Sequence, residues 1–184
     1  MKTHVGKYLI LICLLSLSLP GNSQDTKLSR KERKEVRKAQ MTENFYILDS
    51  LLNSRRFVLE ASYLKNKYGD MVSVSSMVNF IRVNGSKGVL QTGSYQSIGS
   101  NGVGGVTAEG TIGLWEIKRN VKSLTYNLRF NLLTNIGSWD VLLTVTSDNR
   151  ASATISGTTS GKLTWDGHLK ALDNSRVFKG QNTI

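Results

Sequence analysis

From Arg56 onward, apolar and polar residues alternate along the chain, which is the pattern of β-strands with one buried face. The alternation is clearest between Tyr126 and Leu132, where every second residue is apolar and the residues between them are polar or charged. Short segments rich in turn residues separate the alternating stretches, as in antiparallel folds. The predicted strands are 56–64, 77–83, 87–92, 111–119, 124–133, 139–146, 151–156 and 162–169.

The connections favour an antiparallel arrangement. Asn84-Gly85 lies between two apolar stretches and is a strong hairpin signal. After residue 64 no segment is long and periodic enough to form the crossover helix that a parallel strand pair needs. We therefore predict a mainly β protein, an antiparallel β-barrel or sandwich of about eight strands, lipocalin-like in outline.

The segment before the strands predicts a helix over residues 27–54. Ser29 followed by Glu32 forms a capping box, and residues 29–43 contain neither Gly nor Pro. The first half is polar on every side, whereas Phe45, Leu48 and Leu52 recur at helical spacing in the second half. We expect a basic leader (24–54) whose second half packs on the β domain (55–170), with a tail (171–184) of no clear period. Partner binding is the alternative use of this apolar stripe.

Residues 1–23 have the three parts of a cleavable signal peptide: Lys2 and Lys7, an apolar stretch over residues 8–19, and small residues up to Ser23. The apolar stretch is shorter than the ~20 residues of a spanning helix. Cys13 lies inside it, so lipidation there is not expected. We predict export with cleavage between Ser23 and Gln24.

Cleavage changes the chemistry available to the chain. It removes the single cysteine, the single proline and one of two histidines, leaving His168. Without Lys2 and Lys7 the chain has 22 basic and 13 acidic side chains, a formal net charge of +9. Export makes nucleic acid an unsuitable partner for this charge. We expect the basic leader either to be simply solvated or to make peripheral contact with an anionic envelope surface through residues 27–38.

No catalytic constellation is visible. Asp166 and His168 share a strand face, but such a pair is more simply solvated than part of a triad. Glu109 and Glu116 are close acids with nothing to specify a shared site. We expect no enzyme activity, no metal and no cofactor, and a hydrolase is the distant alternative.

Binding is the better functional class. The strands near Phe80 and Trp115 carry apolar residues on both faces, so both faces need cover, either from the helix or from a lipid-like ligand. The ligand-binding residues predicted on this basis are Phe80, Tyr95, Trp115 and Tyr126. The glycine-rich connection 93–110 lacks the Gly-Lys-Ser/Thr of a phosphate loop. It is a lid, an unstructured hairpin loop or a glycine-weakened strand pair. The alternative function is a structural or interaction module that contacts an envelope surface or a protein partner.

Several motifs together resemble a known family. They are the signal peptide, the basic helix, RFVLEA (56–61), the glycine-rich loop, EGTI (109–112), WEIKRN (115–120), SLTYNLRFNL (123–132), ASATIS (151–156) and WDGHL (165–169). Over residues 25–170 the chain resembles domain of unknown function 4251, a family of small exported proteins of Bacteroidota-type bacteria. The resemblance supplies no activity. It implies an all-β domain in the periplasm or cell envelope of a Gram-negative bacterium.

Overall fold

A computed structural model describes residues 29–94, 103–157 and 162–183. The predicted signal peptide and its cleavage site at Ser23–Gln24 lie outside these residues, so export stays a prediction. The chain divides between Glu35 and Val36 into two units.

Helix α1 spans Arg30–Ser54, close to the predicted 27–54. The capping box is present, since the Ser29 backbone N–H donates to Glu32 Oε2 at 2.7 Å and the Glu32 N–H donates to Ser29 Oγ at 3.3 Å. The helix ends at Ser54, because the next residue, Arg55, has a φ of 52° that breaks the helical repeat. Phe45, Leu48 and Leu52 are buried, as their spacing predicts.

Nine antiparallel strands follow in one sheet, ordered β2-β1-β3-β4-β5-β6-β7-β8-β9, and β1 also pairs with β9. This pairing closes an eight-stranded barrel, and β2 is an extra strand beside the second half of β1. The predicted fold class is therefore confirmed, with the barrel rather than the sandwich. The strands are β1 (Arg56–Lys65), β2 (Met71–Ser73), β3 (Phe80–Asn84), β4 (Lys87–Gln91), β5 (Thr107–Asn120), β6 (Thr125–Thr134), β7 (Gly137–Thr146), β8 (Arg150–Gly157) and β9 (Lys162–Ala171).

Two strand boundaries differ from the prediction for local reasons. The strand predicted from residue 77 begins only at Phe80, because the Val78 and Asn79 N–H groups donate to the Ser75 carbonyl and form a turn. In the connection 93–110, β5 already begins at Thr107 rather than at residue 111, in line with the alternative of a glycine-weakened strand pair. Thr92 N–H donates to the Val106 carbonyl, so the β4–β5 pairing extends beyond the ends of both strands.

The predicted hairpin between β3 and β4 is confirmed, shifted by one residue. Asn84 pairs with Lys87, so Gly85 and Ser86 form the two-residue loop. Gly85 has a φ of 63°, a conformation that is costly for a residue with a Cβ. Ser86 does not have a positive φ. A positive φ at the first loop residue alone is the mark of a type II′ turn.

The barrel interior is filled with apolar side chains. On β6 and β7 the predicted inward residues are buried or half-buried, among them Leu128, Phe130 and Leu143. Helix α1 covers the barrel end that carries the β5–β6 and β7–β8 turns, and there Phe45 stacks on Tyr126 with ring centroids 4.5 Å apart. The core of this domain is thus a packed barrel closed at one end by a helix.

The two-faced character of β3 is confirmed, but its cover is not the expected one. Ile81 points into the barrel, whereas Phe80 lies on the outer face with Val58 and Val89. The helix and a ligand were the predicted covers for this second face. Instead Leu172 and Val177, in the C-terminal segment, pack against it. Strand alternation cannot show this, because the segment that covers the face has no period of its own.

We call residues 172–183 the C-terminal strap. It is tied down by Gln91, which is fully buried. Gln91 Nε2 donates to the Phe178 carbonyl at 2.8 Å, and its Oε1 accepts from the Gly180 N–H at 2.8 Å. Lys179 forms an ion pair with Glu109 at 2.6 Å, and the Thr183 N–H donates to the Thr107 carbonyl at 2.9 Å. Side-chain and backbone bonds together hold the strap along β4 and β5.

Candidate functional site

Three of the four residues predicted to bind a ligand are described, Phe80, Trp115 and Tyr126, and they do not line one common cavity. Phe80 lies under the C-terminal strap on the outer face. Trp115 is half-buried, with the Arg55 guanidinium carbon 4.6 Å from its ring centroid and the Phe130 ring 5.5 Å away. Tyr95 lies outside the described residues. Binding by these side chains stays a prediction.

Tyr126 lies at the junction of α1 and the barrel. Burial raises the pKa of Tyr126 to about 12, and the nearby Asp49 carboxylate adds to the increase. Its hydroxyl makes no hydrogen bond with a described residue, although the side chain is fully buried. Phe45 covers its ring. Tyr126 therefore serves as a packing surface for the helix.

The barrel end opposite α1 holds a cavity of about 370 Å³, which we call the end cavity. The strands that open onto this end are the last part of β4, the first parts of β5, β7 and β9, and the last part of β8. Its wall is mostly aliphatic and aromatic, as is usual for small-molecule sites. The lining residues are Leu90, Thr92, Val106, Ala108, Trp139, Ile155, Lys162, Leu163 and Trp165.

The polar groups in this wall differ in whether they have partners. Trp139 Nε1 donates to Thr134 Oγ1 at 3.2 Å. Trp165 Nε1 is buried and has no hydrogen-bond partner among the described residues. Lys162 is exposed at the rim, where β9 begins, and forms no ion pair with a described residue. The end cavity thus combines an apolar wall with one cation at its rim.

Two other concave surfaces have more polar and charged residues in their lining. A groove of about 810 Å³ runs between α1 and the β7–β8 turn, and asparagine, serine and lysine side chains interrupt its leucines. A groove of about 380 Å³ on the outer wall contains Asp166 and His168. Residues with hydroxyl or charged side chains are the most numerous in its lining, and Ser152 Oγ already donates to Asp166 Oδ1. Neither groove matches the expected apolar site.

Sequence reasoning missed the end cavity, although a signal for it exists. In an antiparallel barrel alternate strands begin at the same end, so the first inward residues of β7 and β9 must lie near each other. Those residues are Trp139, Leu163 and Trp165. Two tryptophans at the starts of alternate strands therefore predict an aromatic barrel end.

The Asp166–His168 pair does not form a triad. The two side chains share the outer face of β9, but Asp166 Oδ1 accepts a hydrogen bond from Ser152 Oγ at 2.6 Å. His168 Nδ1 instead lies 2.9 Å from the Asn149 carbonyl oxygen. A carbonyl only accepts, so Nδ1 carries the proton and donates. Ser152 therefore bonds the Asp166 carboxylate directly, whereas in a catalytic triad the imidazole would lie between the two.

The close acids are also separated by their partners. Lys179 and Asn182 bond Glu109, and the lysine holds the pKa of this carboxyl below its ordinary value against the opposing effect of burial. Glu116 pairs in register with Arg129 on β6. No three histidine, cysteine, aspartate or glutamate side chains within 29–94, 103–157 and 162–183 could together hold a metal ion. In the same ranges no helix is both long and apolar enough to cross a membrane.

Comparison with known proteins agrees with this architecture. The model of the family "Domain of unknown function (DUF4251)" matches residues 39–169. The crystal structure of a DUF4251 family protein from Bacteroides eggerthii DSM 20697 is similar, with 30% sequence identity and a TM-score of 0.63. The similarity covers 76% of this chain and 96% of that one. A search of the curated proteins found no match. The resemblance seen in the sequence is confirmed, and the chain belongs to the DUF4251 family.

Proposed function

We propose that the protein is a non-catalytic binding domain that holds a small apolar molecule in the end cavity. The supporting observation is the cavity itself, about 370 Å³ with an aliphatic and aromatic wall, at the barrel end that α1 leaves uncovered. Ligand sites of proteins are typically concave, apolar and about 300–1,000 Å³. The signal peptide predicted from the sequence would place this binding in the periplasm or cell envelope.

The packed interior limits the size of the ligand. Below the end cavity the barrel is filled by side chains such as Leu128, Phe130 and Leu143, each almost completely buried. A molecule that occupied the whole barrel would have to displace this core, which protein packing resists. The ligand therefore occupies the mouth, at the small end of the usual volume range.

The test uses a neutral fluorescent probe, N-phenyl-1-naphthylamine, whose emission rises in apolar surroundings. Val106 lines the cavity and is 41% exposed, so Val106→Trp should fill the mouth without disturbing the core. The matched control is Val121→Trp at the opposite end, where the valine is 59% exposed. We expect wild type and Val121→Trp to bind the probe alike and Val106→Trp to bind it at least about tenfold more weakly. Equal binding by the three proteins would place the probe elsewhere and overturn the proposal.

A second candidate function is electrostatic contact with an anionic envelope surface through α1. Every residue from Arg30 to Gln40 is exposed, and this part of the helix is polar on all sides with an excess of basic residues. Such a helix gains nothing from core packing, so contact with another surface would explain its length. Val36 and Ala39 are the isolated apolar residues in this segment, which favours surface attraction over insertion.

Sedimentation with anionic phosphatidylglycerol vesicles tests this second candidate. Replacing Lys31, Lys34 and Lys38 with Gln should abolish co-sedimentation at low salt, since these lysines carry much of the helix charge. The control triple variant replaces the exposed barrel lysines 87, 118 and 122 with Gln and changes the net charge equally. If both variants lose binding to the same extent, overall charge rather than α1 is responsible.

A further inference from the structure

The groove on the outer wall of the barrel gathers several polar side chains in one place. It is the groove of about 380 Å³ that contains Asp166 and His168, and we call it the outer groove. Asp166 pairs in register with Ser152, and His168 pairs with Arg150. Side chains on one face of a sheet lie about 5 Å apart across paired strands and about 7 Å apart along a strand. One small molecule in the groove can therefore contact these side chains together.

The charges in and around the outer groove balance one another. Asp166 Oδ1 accepts from Ser152 Oγ at 2.6 Å, and Oδ2 of the same carboxylate lies 3.7 Å from Lys65 Nζ. The guanidinium Nε of Arg150 lies 3.2 Å from Asp148 Oδ2. Each charged side chain of this set thus has an opposite charge beside it. The groove has no excess of either sign, so its electrostatics favour neither an anion nor a cation as ligand.

Hydrogen-bonding groups of both kinds remain available on this balanced surface. His168 Nδ1 donates to the Asn149 carbonyl, so in the neutral ring Nε2 is an acceptor. The terminal nitrogens of Arg150 are donors that make no hydrogen bond with a described residue. Asp166 Oδ2 is beyond hydrogen-bond distance of Lys65 and is a second acceptor. A hydroxyl both donates and accepts, so a ligand with several hydroxyls can use all three groups.

An aromatic side chain adds an apolar surface beside these polar groups. Tyr63 lines the outer groove, is 44% exposed and pairs in register with Asp166. The face of an aromatic ring is electron-rich and packs well against C–H groups such as those on the face of a sugar ring. An extended peptide fits less well, because Tyr63 also pairs with Ser73 on β2 and the backbone here has no free edge to add a strand.

We propose that the outer groove is a binding site for a neutral saccharide. One sugar ring lies against Tyr63, its hydroxyls donate to Asp166 Oδ2 and His168 Nε2, and they accept from the guanidinium of Arg150. This site is separate from the end cavity, because the two share no lining residue. The inference therefore goes beyond the proposed function and does not depend on it.

The test titrates the ¹⁵N-labelled protein with neutral hexasaccharides of glucose, mannose, galactose and xylose and follows the amide chemical shifts by NMR. We expect at least one of them to bind with a Kd of about 1 mM or tighter and to shift amides of residues 150–152 and 166–168. Since the ligand is uncharged, its affinity should be the same at low and high salt. Hexagalacturonate, which has a carboxylate on each ring, is the charged comparison for the galactose hexasaccharide and should bind no more tightly.

Two pairs of variants locate the binding. Tyr63→Ala should weaken the saccharide at least about tenfold, whereas Tyr68→Ala, 79% exposed and outside the groove lining, should not. Arg150→Gln should weaken it several-fold, whereas Arg129→Gln, at an exposed position on β6, should not. The four replaced side chains are exposed, so all four variants should fold. If no neutral hexasaccharide binds by about 10 mM, if only hexagalacturonate binds, or if each control loses as much affinity as its partner, the inference is wrong.

Discussion

Replacement of Gln91 by leucine should release the C-terminal strap. Gln91 is fully buried and makes four hydrogen bonds. Its Nε2 donates to the carbonyls of Val78 and Phe178, at 3.2 and 2.8 Å, and its Oε1 accepts from Thr107 Oγ1 and the Gly180 N–H, at 2.9 and 2.8 Å. Leucine has nearly the same volume but no polar atoms. The substitution therefore removes the bonds while leaving the space filled.

The expected loss of stability follows from these four bonds. A buried group that loses its partner costs about 1–3 kcal/mol, and an ordinary hydrogen bond contributes about 1 kcal/mol net. The Phe178 and Gly180 backbone groups can reach water once the strap detaches, so they recover part of the loss, whereas Val78 and Thr107 stay buried or nearly so. We expect the free energy of unfolding to fall by about 2–4 kcal/mol.

Two measurements check this expectation. Urea unfolding gives the loss of stability, and limited trypsin digestion followed by intact mass gives the rate of cleavage after Lys179 in the strap. The control is Gln40→Leu, the same change at an exposed helical position. Cleavage after Lys179 should be faster in Gln91→Leu alone. A loss below about 1 kcal/mol, together with unchanged cleavage after Lys179, would show that Gln91 does not hold the strap.

Three further predictions concern the helix junction and the strap. Phe45→Ala should lower the free energy of unfolding by about 3–5 kcal/mol, because Phe45 is 2% exposed, whereas Tyr46→Ala, 60% exposed, should cost less than about 1 kcal/mol; urea unfolding compares them. Tyr126→Phe should not destabilise the protein at neutral pH. Wild type should lose stability above about pH 10, because the Tyr126 phenol ionises there in the unfolded state. In the folded state the pKa of Tyr126 is raised to about 12, so the phenol stays neutral, and Tyr126→Phe should remove this loss. Glu109→Gln should cost less than about 1 kcal/mol at neutral pH. The difference in stability between wild type and Glu109→Gln should disappear as the pH falls below the ordinary glutamate range, because Lys179 lowers the pKa of Glu109 in the folded state alone. Urea unfolding measured at a series of acidic pH values tests this.

The sequence predicted the strands because alternation is a local property. Each residue from Tyr126 to Leu132 has a face that its neighbours determine, and the structure confirms those faces. The helix was predicted for the same reason, since Ser29 and Glu32 cap it locally. Closure of the barrel through β1 and β9 was one of two open alternatives, because pairing between the first and last long strands leaves no local trace.

Features that depend on distant partners were missed. The cover over Phe80 comes from a segment whose sequence has no period, so its position depends on bonds to Gln91 that only the folded chain brings together. The short strand Met71–Ser73 is exposed along its whole length, so no hydrophobic pattern marks it. The end cavity needed the strand order before Trp139 and Trp165 could be placed at one end.

The closing pair of strands has a consequence for the order of folding. Phe57 on β1 pairs with Ala171 on β9. One edge of β1 therefore has no hydrogen-bond partner until β9, the last barrel strand, is in place. Pairs that are distant in sequence raise the contact order and slow folding, because loop entropy is lost before the contacts form. Until β9 has emerged, β1 presents an open edge to other chains, which favours aggregation. A chain with this topology folds late, after its synthesis is nearly complete, and a truncation before Lys162 should accumulate as insoluble material.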